Sequence, residues 1–462
     1  MNPLTQPFWW PLPPLDGKPA PLEALVTGDV IETPHGPFFL RRLVYDAGYH
    51  HGRCRLGDFV DLSPSLAAGL ARKAELAAIH PASLAFLDAE TTGLAGGTGT
   101  YAFLLGVATF APGDDPAGGP AAWQLVVEQG MMRTYAEERA LLWWLRQRIE
   151  ACDGLVTFNG ASFDVPLLET RFLMHRMRAA LDQLPHLDLL PVARRLWKPM
   201  LQSCALQHLE RHVLGIGRDD DVESFLIPAI FHQYLRDGDG RYLRRVFNHN
   251  LSDLLAMVAL AAWTGRAVEH GDAARGGGIG LSATELAALG RVYEQLGRAD
   301  AAERAYRIAL GGHLPRDLRS HTMLALAALL KRSGRHDEAA GVWQALAQEA
   351  PAHSVPALIE LAKYWEHRRR DPARALDCAA QARARWLAST TAGGRRLPGF
   401  AGPAAPPAAP DDFAPRPASG AEELSDEYRR LGAPDDFARR LARLRRKQSL
   451  SPTAGDLPGS RE

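Results

Sequence analysis

A short apolar run that ends in two acidic residues has the clearest chemical content in the sequence. Residues 84–87 are apolar and bounded by turn-forming residues, which is typical of a buried strand, and Asp88 and Glu90 follow directly. Side chains alternate faces along a strand, so both carboxylates project from one face and repel each other. A divalent cation such as Mg²⁺ or Mn²⁺ relieves that repulsion, because such ions prefer oxygen ligands. The alternative is that an acid here caps the turn at Thr91 and Thr92.

A third acidic residue, Asp164, lies just beyond an apolar segment, 154–158, that is predicted to be a buried strand. It begins a predicted helix over about 162–177, with Pro166 tolerated in the first turn. The edge where strands end and helices begin is where open α/β sheets bind ligands. Asp164 alone could equally be a helix N-cap.

A fourth acidic residue, Asp253, lies on a long predicted helix over 241–263, four residues after His249. Residues four apart lie about 40° apart around a helix axis and share a face. The second half of this helix is largely apolar, so Asp253 is not easily explained as a surface charge. A salt bridge to Arg244 or Arg245 is the structural alternative.

The elements that must position these residues form an α/β pattern. Three strands in a meander are followed by a helix, a strand and a helix, which predicts a mixed sheet covered by helices. A further helix is predicted upstream of the sheet, with Ser63 as its cap. The predicted segments are a helix at 63–79, strands at 84–87, 101–110 and 123–128, and a helix at 135–152.

Composition excludes several classes of protein. The 53 basic and 53 acidic residues cancel, so nucleic-acid binding would depend on local patches rather than on a global field. The four cysteines have no CxxC spacing, which argues against structural zinc and disulfides and favours a cytoplasmic location. The Pro-rich N-terminus lacks signal-peptide features, and no apolar run is expected to reach the roughly 18 residues of a membrane span, so no membrane partner is predicted.

Taken together, three motifs resemble the DEDD superfamily of 3′→5′ exonucleases, which have the RNase H-like fold. These motifs are DAETTGL from Asp88, FNGASFDVPLL around Asp164, and HNLSD from His249 to Asp253. Three longer stretches, TGTYAFLLG, HLDLLPVARRLW and VFNHNLSDLLAM, are similar to the YprB-type branch of that superfamily. The resemblance covers roughly residues 37–263 and implies an RNase H-like mixed sheet flanked by helices.

The resemblance implies roles for individual residues. Asp88, Glu90, Asp164 and Asp253 match the four acidic ligands of two divalent metal ions, Mg²⁺ or Mn²⁺, with Asp88 bridging. Two metals about 3.5–4 Å apart activate the water, neutralise the phosphate and assist the leaving alkoxide. His249 would orient or deprotonate the water, as a neutral imidazole with a pKa near 6.5. It stands where one branch of the superfamily has Tyr; the other branch has His one position earlier, which here is Asn248.

Substrate contacts are expected around the first two motifs. The Gly-rich loop from Gly93 to Gly99 lacks a GxxxxGK[ST] pattern and connects two strands, so it is not a nucleotide-binding loop; its glycines allow a tight turn or close approach of a nucleotide. Three cations, Arg194, Arg195 and Lys198, would contact phosphates or line an exposed helix face. The candidate substrate contacts are Thr91, Thr92, Gly93, Thr98, Thr100, Asn159 and Phe163.

The C-terminal part changes to Ala-, Leu- and Arg-rich helical segments. Gly297-Arg298 and Gly334-Arg335 stand 37 residues apart, close to the tetratricopeptide period, and each unit carries an aromatic residue. These units resemble tetratricopeptide repeats and imply either a protein-binding groove or a structural cap. The predicted domains are an N-terminal arm and packing segment (1–80), the exonuclease domain (81–268), the all-α repeats (280–390), a disordered linker (391–420) and a basic tail with a short helix (421–462).

The sequence is therefore compatible with three alternative functions. The first is a metal-dependent 3′→5′ exonuclease that hydrolyses single-stranded DNA or RNA from its end. The second is an inactive RNase H-like domain that binds nucleic acid and carries a repeat scaffold for a protein partner. The third, an adaptor that uses only its repeats, leaves the four acidic residues unexplained.

Overall fold

A seven-stranded mixed sheet organises the N-terminal part of the protein. The computed structural model describes residues 17–93, 99–113, 123–179, 181–218, 220–271, 280–391 and 434–449. The chain divides into two compact units, Met1–Leu281 and Ser282–Glu462. The strands are β1 (Asp29–Thr33), β2 (Gly36–Asp46), β3 (His50–His51), β4 (Cys54–Arg55), β5 (Leu84–Thr91), β6 (Ala102–Pro112), β7 (Trp123–Met131), β8 (Gly154–Thr157) and β9 (His186–Asp188).

The order of strands in the large sheet is β1-β2-β7-β6-β5-β8-β9, while β3 and β4 form a separate two-stranded ribbon. Strands β1, β2, β7, β6 and β5 pair antiparallel, whereas β8 and β9 run parallel to β5. The carboxyl ends of β5, β8 and β9 therefore meet at one edge of the sheet. This is the mixed α/β architecture that the sequence pattern predicts, and the fold-class prediction is confirmed.

Helices cover the sheet in the N-terminal unit. Helices α3 and α8 lie on opposite faces, because adjacent residues of β7 contact different helices: Gln129 bonds to α8, while a side chain at Gly130 would meet α3. The helices are α1 (Leu22–Leu25), α2 (Pro64–Ala71), α3 (Glu138–Glu150), α4 (Asp164–Met174), α5 (Leu189–Trp197), α6 (Leu206–Leu209), α7 (Ile227–Asp237) and α8 (Arg241–His270).

Helix α8 is a buried core helix. Its residues from Leu254 to Trp263 are almost all buried, which explains their apolar character. By length and composition α8 could span a membrane, contrary to the prediction that no apolar run is long enough, but 78% of the relevant window is buried inside the protein. The core of a folded domain accounts for such a helix.

One predicted helix is wrong in its extent. The segment predicted as a helix over 63–79 is helical only from Pro64 to Ala71, capped at its start by the Ser63 hydroxyl. Arg72 takes a left-handed conformation with φ of 57° and ends the helix, and a 3₁₀ turn follows at Ala74–Ala78. A non-glycine residue with positive φ is uncommon, so the sequence carries no signal for this break.

The C-terminal unit is all helical among its described residues. Its helices pack as sequential pairs, α9 with α10, α11 with α12 and α13 with α14, and α15 packs on α14. Gly297 and Gly334 take positive φ in equivalent turns of the first two pairs, which explains their spacing in the sequence. The helices are α9 (Ala283–Gln295), α10 (Ala299–Gly311), α11 (Arg316–Arg332), α12 (His336–Glu349), α13 (Val355–His367), α14 (Pro372–Thr391) and α15 (Pro434–Ser449). The assignment to tetratricopeptide repeats stays a prediction.

Helix α15 accounts for part of the basic tail. Its Leu444 is buried against α13 and α14, and Arg443 and Lys447 each lie 2.8 Å from the carboxylate of Glu366 on α13. These two cations are therefore paired within the unit, although their side chains remain 48% and 49% exposed. The predicted linker at 391–420 lies outside the described residues apart from Thr391, as do residues 1–16, 421–433 and 450–462.

Candidate metal centre

The first two predicted ligands lie in the second half of β5, on the face that α8 covers. Glu90 is buried and Asp88 is half-buried. The pairing of β5 with β6 becomes irregular between Glu90 and Thr91, so the regular ladder ends where the carboxylates are presented. The turn does not depend on an acidic cap for the Thr92 amide, which donates to the Tyr101 carbonyl at 2.9 Å.

The third predicted ligand, Asp164, is the first residue of α4 rather than its N-cap. The capping position belongs to Phe163, whose side chain makes no capping hydrogen bond. The loop between β8 and α4 brings Asp164 to the edge of the sheet at which β5 ends. Its carboxylate lies close enough to Asp88 and Asp253 for their charges to influence one another.

Helix α8 delivers the last two predicted site residues. His249 Nε2 lies 3.6 Å from Asp253 Oδ2, as expected for residues one helical turn apart. Ligand atoms of Glu90, His249 and Asp253 all lie within 4.8 Å of one another. The structure thus brings together the carboxylates of β5, α4 and α8, with the imidazole among them.

The pKa values of the carboxylates reflect their burial and the negative charge of their neighbours at this site. Burial, together with the charges of Asp253, Glu90 and Asp164, raises the pKa of Asp88 well above its ordinary value. Burial and the neighbouring carboxylates raise the pKa of Glu90 to about 8, although the positive charge of His249 opposes this. Burial and the charges of Asp188 and Asp253 raise the pKa of Asp164 to about 7. Each group resists ionisation because it is buried and because other carboxylates lie close to it.

His249 is held by a carboxylate that the sequence motifs do not include. Its Nδ1 lies 2.8 Å from Asp221 Oδ1, and its Nε2 faces Asp253 and, at 3.4 Å, the Ser224 hydroxyl. Burial alone would lower the pKa of His249, but the bond to Asp221 and the charges of Asp253 and Glu90 raise it to about 9. The predicted pKa near 6.5 is therefore wrong for the metal-free protein, in which the imidazole is positively charged at neutral pH.

Asn250, the residue after His249, fixes Asp88. Its side-chain amide donates to Asp88 Oδ2 at 2.7 Å, and its Oδ1 accepts from Gln129 Nε2 at 2.8 Å. Gln129 Nε2 donates to the Phe247 carbonyl as well, so the amide chain ties α8 to the sheet. The Asn250 side chain is fully buried and orients the Asp88 carboxylate without adding charge.

Arg218 is the cation that pairs with Asp253. Its Nη2 lies 2.5 Å from Asp253 Oδ1, and its other nitrogens bond to Glu210 and Asp221. The predicted salt bridge from Asp253 to Arg244 or Arg245 is therefore wrong. Asp253 pairs with Arg218, and Arg245 pairs with Asp220.

The candidate substrate residues differ in their exposure and in their hydrogen-bond contacts. Thr92 and Thr100 are buried, and the Thr92 hydroxyl accepts from the Tyr101 amide at 2.9 Å, which makes it part of the turn. Phe163 is 58% exposed directly before Asp164, so its ring is available to a ligand. Asn159 has φ of 69°, and its amide donates to Asp188 Oδ1 at 2.8 Å. Thr98 lies outside the described residues, and Gly93 follows the end of β5.

Residues 186–195 support the site rather than enter it. Asp188 accepts from the amides of Asn159, Ala161 and Leu190, so it caps α5 and shapes the loop before α4. His186 is buried against the Thr157 hydroxyl at 2.8 Å, and burial lowers its pKa to about 4. Arg195 donates to the Leu70 carbonyl and is therefore not a free phosphate ligand.

The donor set fits a divalent cation. Glu90 and Asp253 place oxygen atoms within 4.8 Å of each other, and Asp88 and Asp164 lie close enough for their charges to act on the same group, so the site offers oxygen donors that suit Mg²⁺ or Mn²⁺. Burial and the neighbouring carboxylates raise the pKa values of Asp88, Glu90 and Asp164, and a bound cation would favour their ionised forms. The tightest convergence among the described residues includes the His249 nitrogen, and a mixed nitrogen and oxygen set suits Mn²⁺ better than Mg²⁺.

The sequence alone does not identify three supporting residues, Arg218, Asp221 and Asn250. Arg218 and Asp221 lie in an irregular segment of mixed charge, RDDD, where no periodicity marks them. Asn250 lies inside the HNLSD motif, and its position next to His249 is the sequence feature that could have indicated a role at the site.

Known proteins give a consistent family assignment. Residues 85–265 match the family model described as the RNase_H superfamily. A protein described as uncharacterized protein YprB, from Bacillus subtilis (strain 168), is 28% identical over 349 residues, which are 74% of this chain and 79% of that protein.

One solved structure is also similar, though weakly. It is the family B DNA polymerase from the hyperthermophilic archaeon Pyrobaculum calidifontis, with 13% identity and a TM-score of 0.32 over 50% of this chain. The match spans only 29% of the polymerase chain, and similarity at this level does not support a functional inference.

The family match confirms the RNase H-like resemblance that the acidic motifs predicted. The all-helical C-terminal region fits the arrangement expected from the sequence. Residues 85–265 therefore carry a domain that matches the RNase H superfamily.

Proposed function

We propose that this protein is a metal-dependent 3′→5′ exonuclease that hydrolyses single-stranded nucleic acid. The observation that carries the proposal is the proximity of Asp88, Glu90, Asp164 and Asp253, which come from three separated segments; burial and the neighbouring carboxylates raise the pKa values of Asp88, Glu90 and Asp164. A cluster of mutually repelling carboxylates destabilises the fold unless a cation is bound. The match of residues 85–265 to the RNase H superfamily supports the same conclusion.

The metal ligands in this proposal are the four carboxylates. Two divalent ions, Mg²⁺ or Mn²⁺, would supply an activated water and neutralise the phosphate charge. Asn250 keeps the Asp88 carboxylate oriented toward the cluster through its 2.7 Å bond. Asp164 depends on the α4 N-terminus for its position, and Asp253 on the α8 backbone.

His249 has the geometry of a proton carrier in this proposal. Asp221 holds Nδ1, so Nε2 is the atom that faces the carboxylates and is free to accept or donate a proton. A bound divalent cation would offset the negative charge that raises the pKa of His249, and would bring the neutral imidazole into the working range of a base. Phe163, exposed next to Asp164, is placed to stack on an unpaired base.

The test uses purified full-length protein and 5′-labelled single-stranded DNA and RNA, with Mn²⁺, with Mg²⁺ and with chelator alone. We expect metal-dependent shortening in single-nucleotide steps. A 3′-terminal phosphorothioate should block shortening, and a circular strand should stay intact. Cleavage of the circular strand would instead identify an endonuclease, and absence of cleavage with every metal would contradict the proposed activity.

One observation favours a second candidate, an inactive protein that binds nucleic acid. Arg218 already occupies one oxygen of Asp253, which the proposed mechanism needs as a ligand. The same labelled strands distinguish the two: retention in a binding assay without shortening, at any metal concentration, supports the inactive binder. A protein partner for the helical repeats and a cytoplasmic location remain proposals based on the sequence.

A further inference from the structure

Arg218 makes an unusual set of contacts around the proposed metal centre. Each of three guanidinium nitrogens bonds to a different carboxylate: Nε to Glu210 at 2.6 Å, Nη1 to Asp221 at 3.2 Å, and Nη2 to Asp253 at 2.5 Å. The planar guanidinium of Arg carries five N–H donors in a fixed fork, so it can hold three acceptors at once. Arg218 thus joins a proposed ligand, Asp253, to the carboxylate that holds His249.

Glu210, the third carboxylate of this network, is buried in the protein. The Glu210 side chain is 1% exposed and the Arg218 side chain 9%, so their ion pair is almost fully buried. Glu210 also accepts from His51 Nε2 at 2.9 Å, which ties it to the β3–β4 ribbon. Removing a buried cation leaves its carboxylates unpaired, so Arg218 stabilises the metal-free protein.

The charge of Arg218 lies at the same carboxylate that a divalent ion would use. We propose that Arg218 is an internal counter-cation that competes with the metal for Asp253, so that it stabilises the metal-free protein and weakens metal binding. This inference rests on the proposed metal centre. Because coupling between two ligands of one site is reciprocal, metal binding weakens the Arg218–Asp253 ion pair by the same factor.

A positioning role would have the opposite consequence. If Arg218 served only to orient Asp253 for ligation, its removal would misplace the carboxylate and weaken metal binding. Competition instead predicts tighter binding, because a positive charge a few ångströms from the ion is lost while the carboxylate stays. The sign of the change in metal affinity therefore separates the two roles without any measurement of activity.

The experiment is a Mn²⁺ titration of the full-length protein, with free Mn²⁺ measured by electron paramagnetic resonance. We expect Arg218→Met to bind Mn²⁺ about tenfold more tightly than the wild type, the order expected for losing one nearby charge in a partly buried site. The matched control is Arg245→Met: Arg245 pairs with Asp220, next to Asp221, but the pair is more exposed and Arg245 does not contact Asp253. Its affinity should change less than about twofold because solvent screens the charge.

A second comparison covers the case in which Arg218→Met fails to fold because Glu210 is left buried and unpaired. Glu210→Gln removes that carboxylate, and the double variant Glu210→Gln/Arg218→Met removes the whole ion pair, a change that proteins tolerate better than losing one partner. The double variant should bind Mn²⁺ about tenfold more tightly than Glu210→Gln alone.

Two results would overturn the inference, and they are distinguishable. Mn²⁺ binding by the wild type with equal or weaker binding in the Arg218 variants overturns the competition alone and leaves the metal centre in place. Absence of Mn²⁺ binding in every variant overturns the proposed metal centre and the competition together.

Discussion

A methyl group on Gly106 would lie 2.3 Å from Asn250 Oδ1. Gly106 pairs with Asp88 on one side of β6 and with Gln129 on the other, so the three residues form one row across the sheet. The Asn250 amide lies over the middle of this row and bonds to both outer residues. The missing side chain at Gly106 therefore makes room for the group that orients Asp88.

The first prediction is that Gly106→Ala disrupts both the fold and metal binding. Overpacking of this kind costs about 1–3 kcal/mol, and here the displaced group is Asn250. We expect a lower melting temperature and at least severalfold weaker Mn²⁺ binding. The control is Gly130→Ala on the other face of the sheet, where a methyl group would meet Leu141 and Trp144 at 2.7–2.8 Å. That variant should lose stability but keep its Mn²⁺ affinity; equal affinities in both variants would contradict the role given to Asn250.

The second prediction concerns the pH dependence of metal-free stability. The pKa values of Asp88, Glu90 and Asp164 are raised on folding, to about 8 for Glu90 and about 7 for Asp164. The folded state therefore holds more protons than the unfolded state, so the free energy of unfolding decreases as pH rises from about 4 to about 8. The raised pKa of His249 acts in the same direction, because that stability is lost as pH rises toward about 9.

The measurement is the melting temperature as a function of pH, in chelator and in Mn²⁺. In chelator the melting temperature should fall between about pH 5.5 and pH 8, and in Mn²⁺ this decrease should be largely removed, because the bound ion favours the ionised carboxylates. Asp88→Asn, which removes one carboxylate while keeping its size, should stabilise the metal-free protein near pH 8. Parallel curves with and without metal would argue against a cation at these residues.

The parts of the site that could be predicted from the sequence share one property. Asp88 and Glu90 are related by the two-residue repeat of a strand, and His249 and Asp253 by the four-residue repeat of a helix. In both cases the distance between the side chains follows from one regular element. Asp164 could be predicted for a related reason, because a strand followed directly by a helix places that residue at the sheet edge.

The supporting residues depend on tertiary structure instead. Arg218 reaches Asp253, 35 positions away, from an irregular segment, and Asp221 reaches His249 across 28 positions. The function of Asn250 depends on the register that aligns Asp88, Gly106 and Gln129, which no local pattern encodes. The early end of α2 at Arg72 likewise has no local signal in the sequence, because neither Gly nor Pro marks it.

The third prediction concerns the anchoring of α4, the helix that begins with Asp164. The buried Arg171 on α4 binds both oxygens of Glu138 on α3, at 2.5 and 2.6 Å, and its guanidinium lies 4.0 Å from the centre of the Tyr101 ring. Arg171→Met leaves Glu138 buried with only His175, so we expect a loss of about 3–5 kcal/mol. Chemical denaturation measures this loss. Arg146→Met removes an exposed pair with Glu150 on α3 and should cost less than about 1 kcal/mol.

The last prediction separates two acidic residues that flank the same loop. Asp164→Asn should lower metal-dependent cleavage by about a hundredfold or more, as expected when a group that stabilises transition-state charge is lost. It should not destabilise the metal-free protein, because it relieves repulsion with Asp188 and Asp253. Asp188→Asn should do the reverse: it weakens hydrogen bonds from Asn159, Ala161 and Leu190 and should cost about 1–2 kcal/mol, while leaving substantial cleavage at low temperature. Cleavage rates and melting temperatures of both variants test this, and full activity in Asp164→Asn would exclude that carboxylate from the reaction.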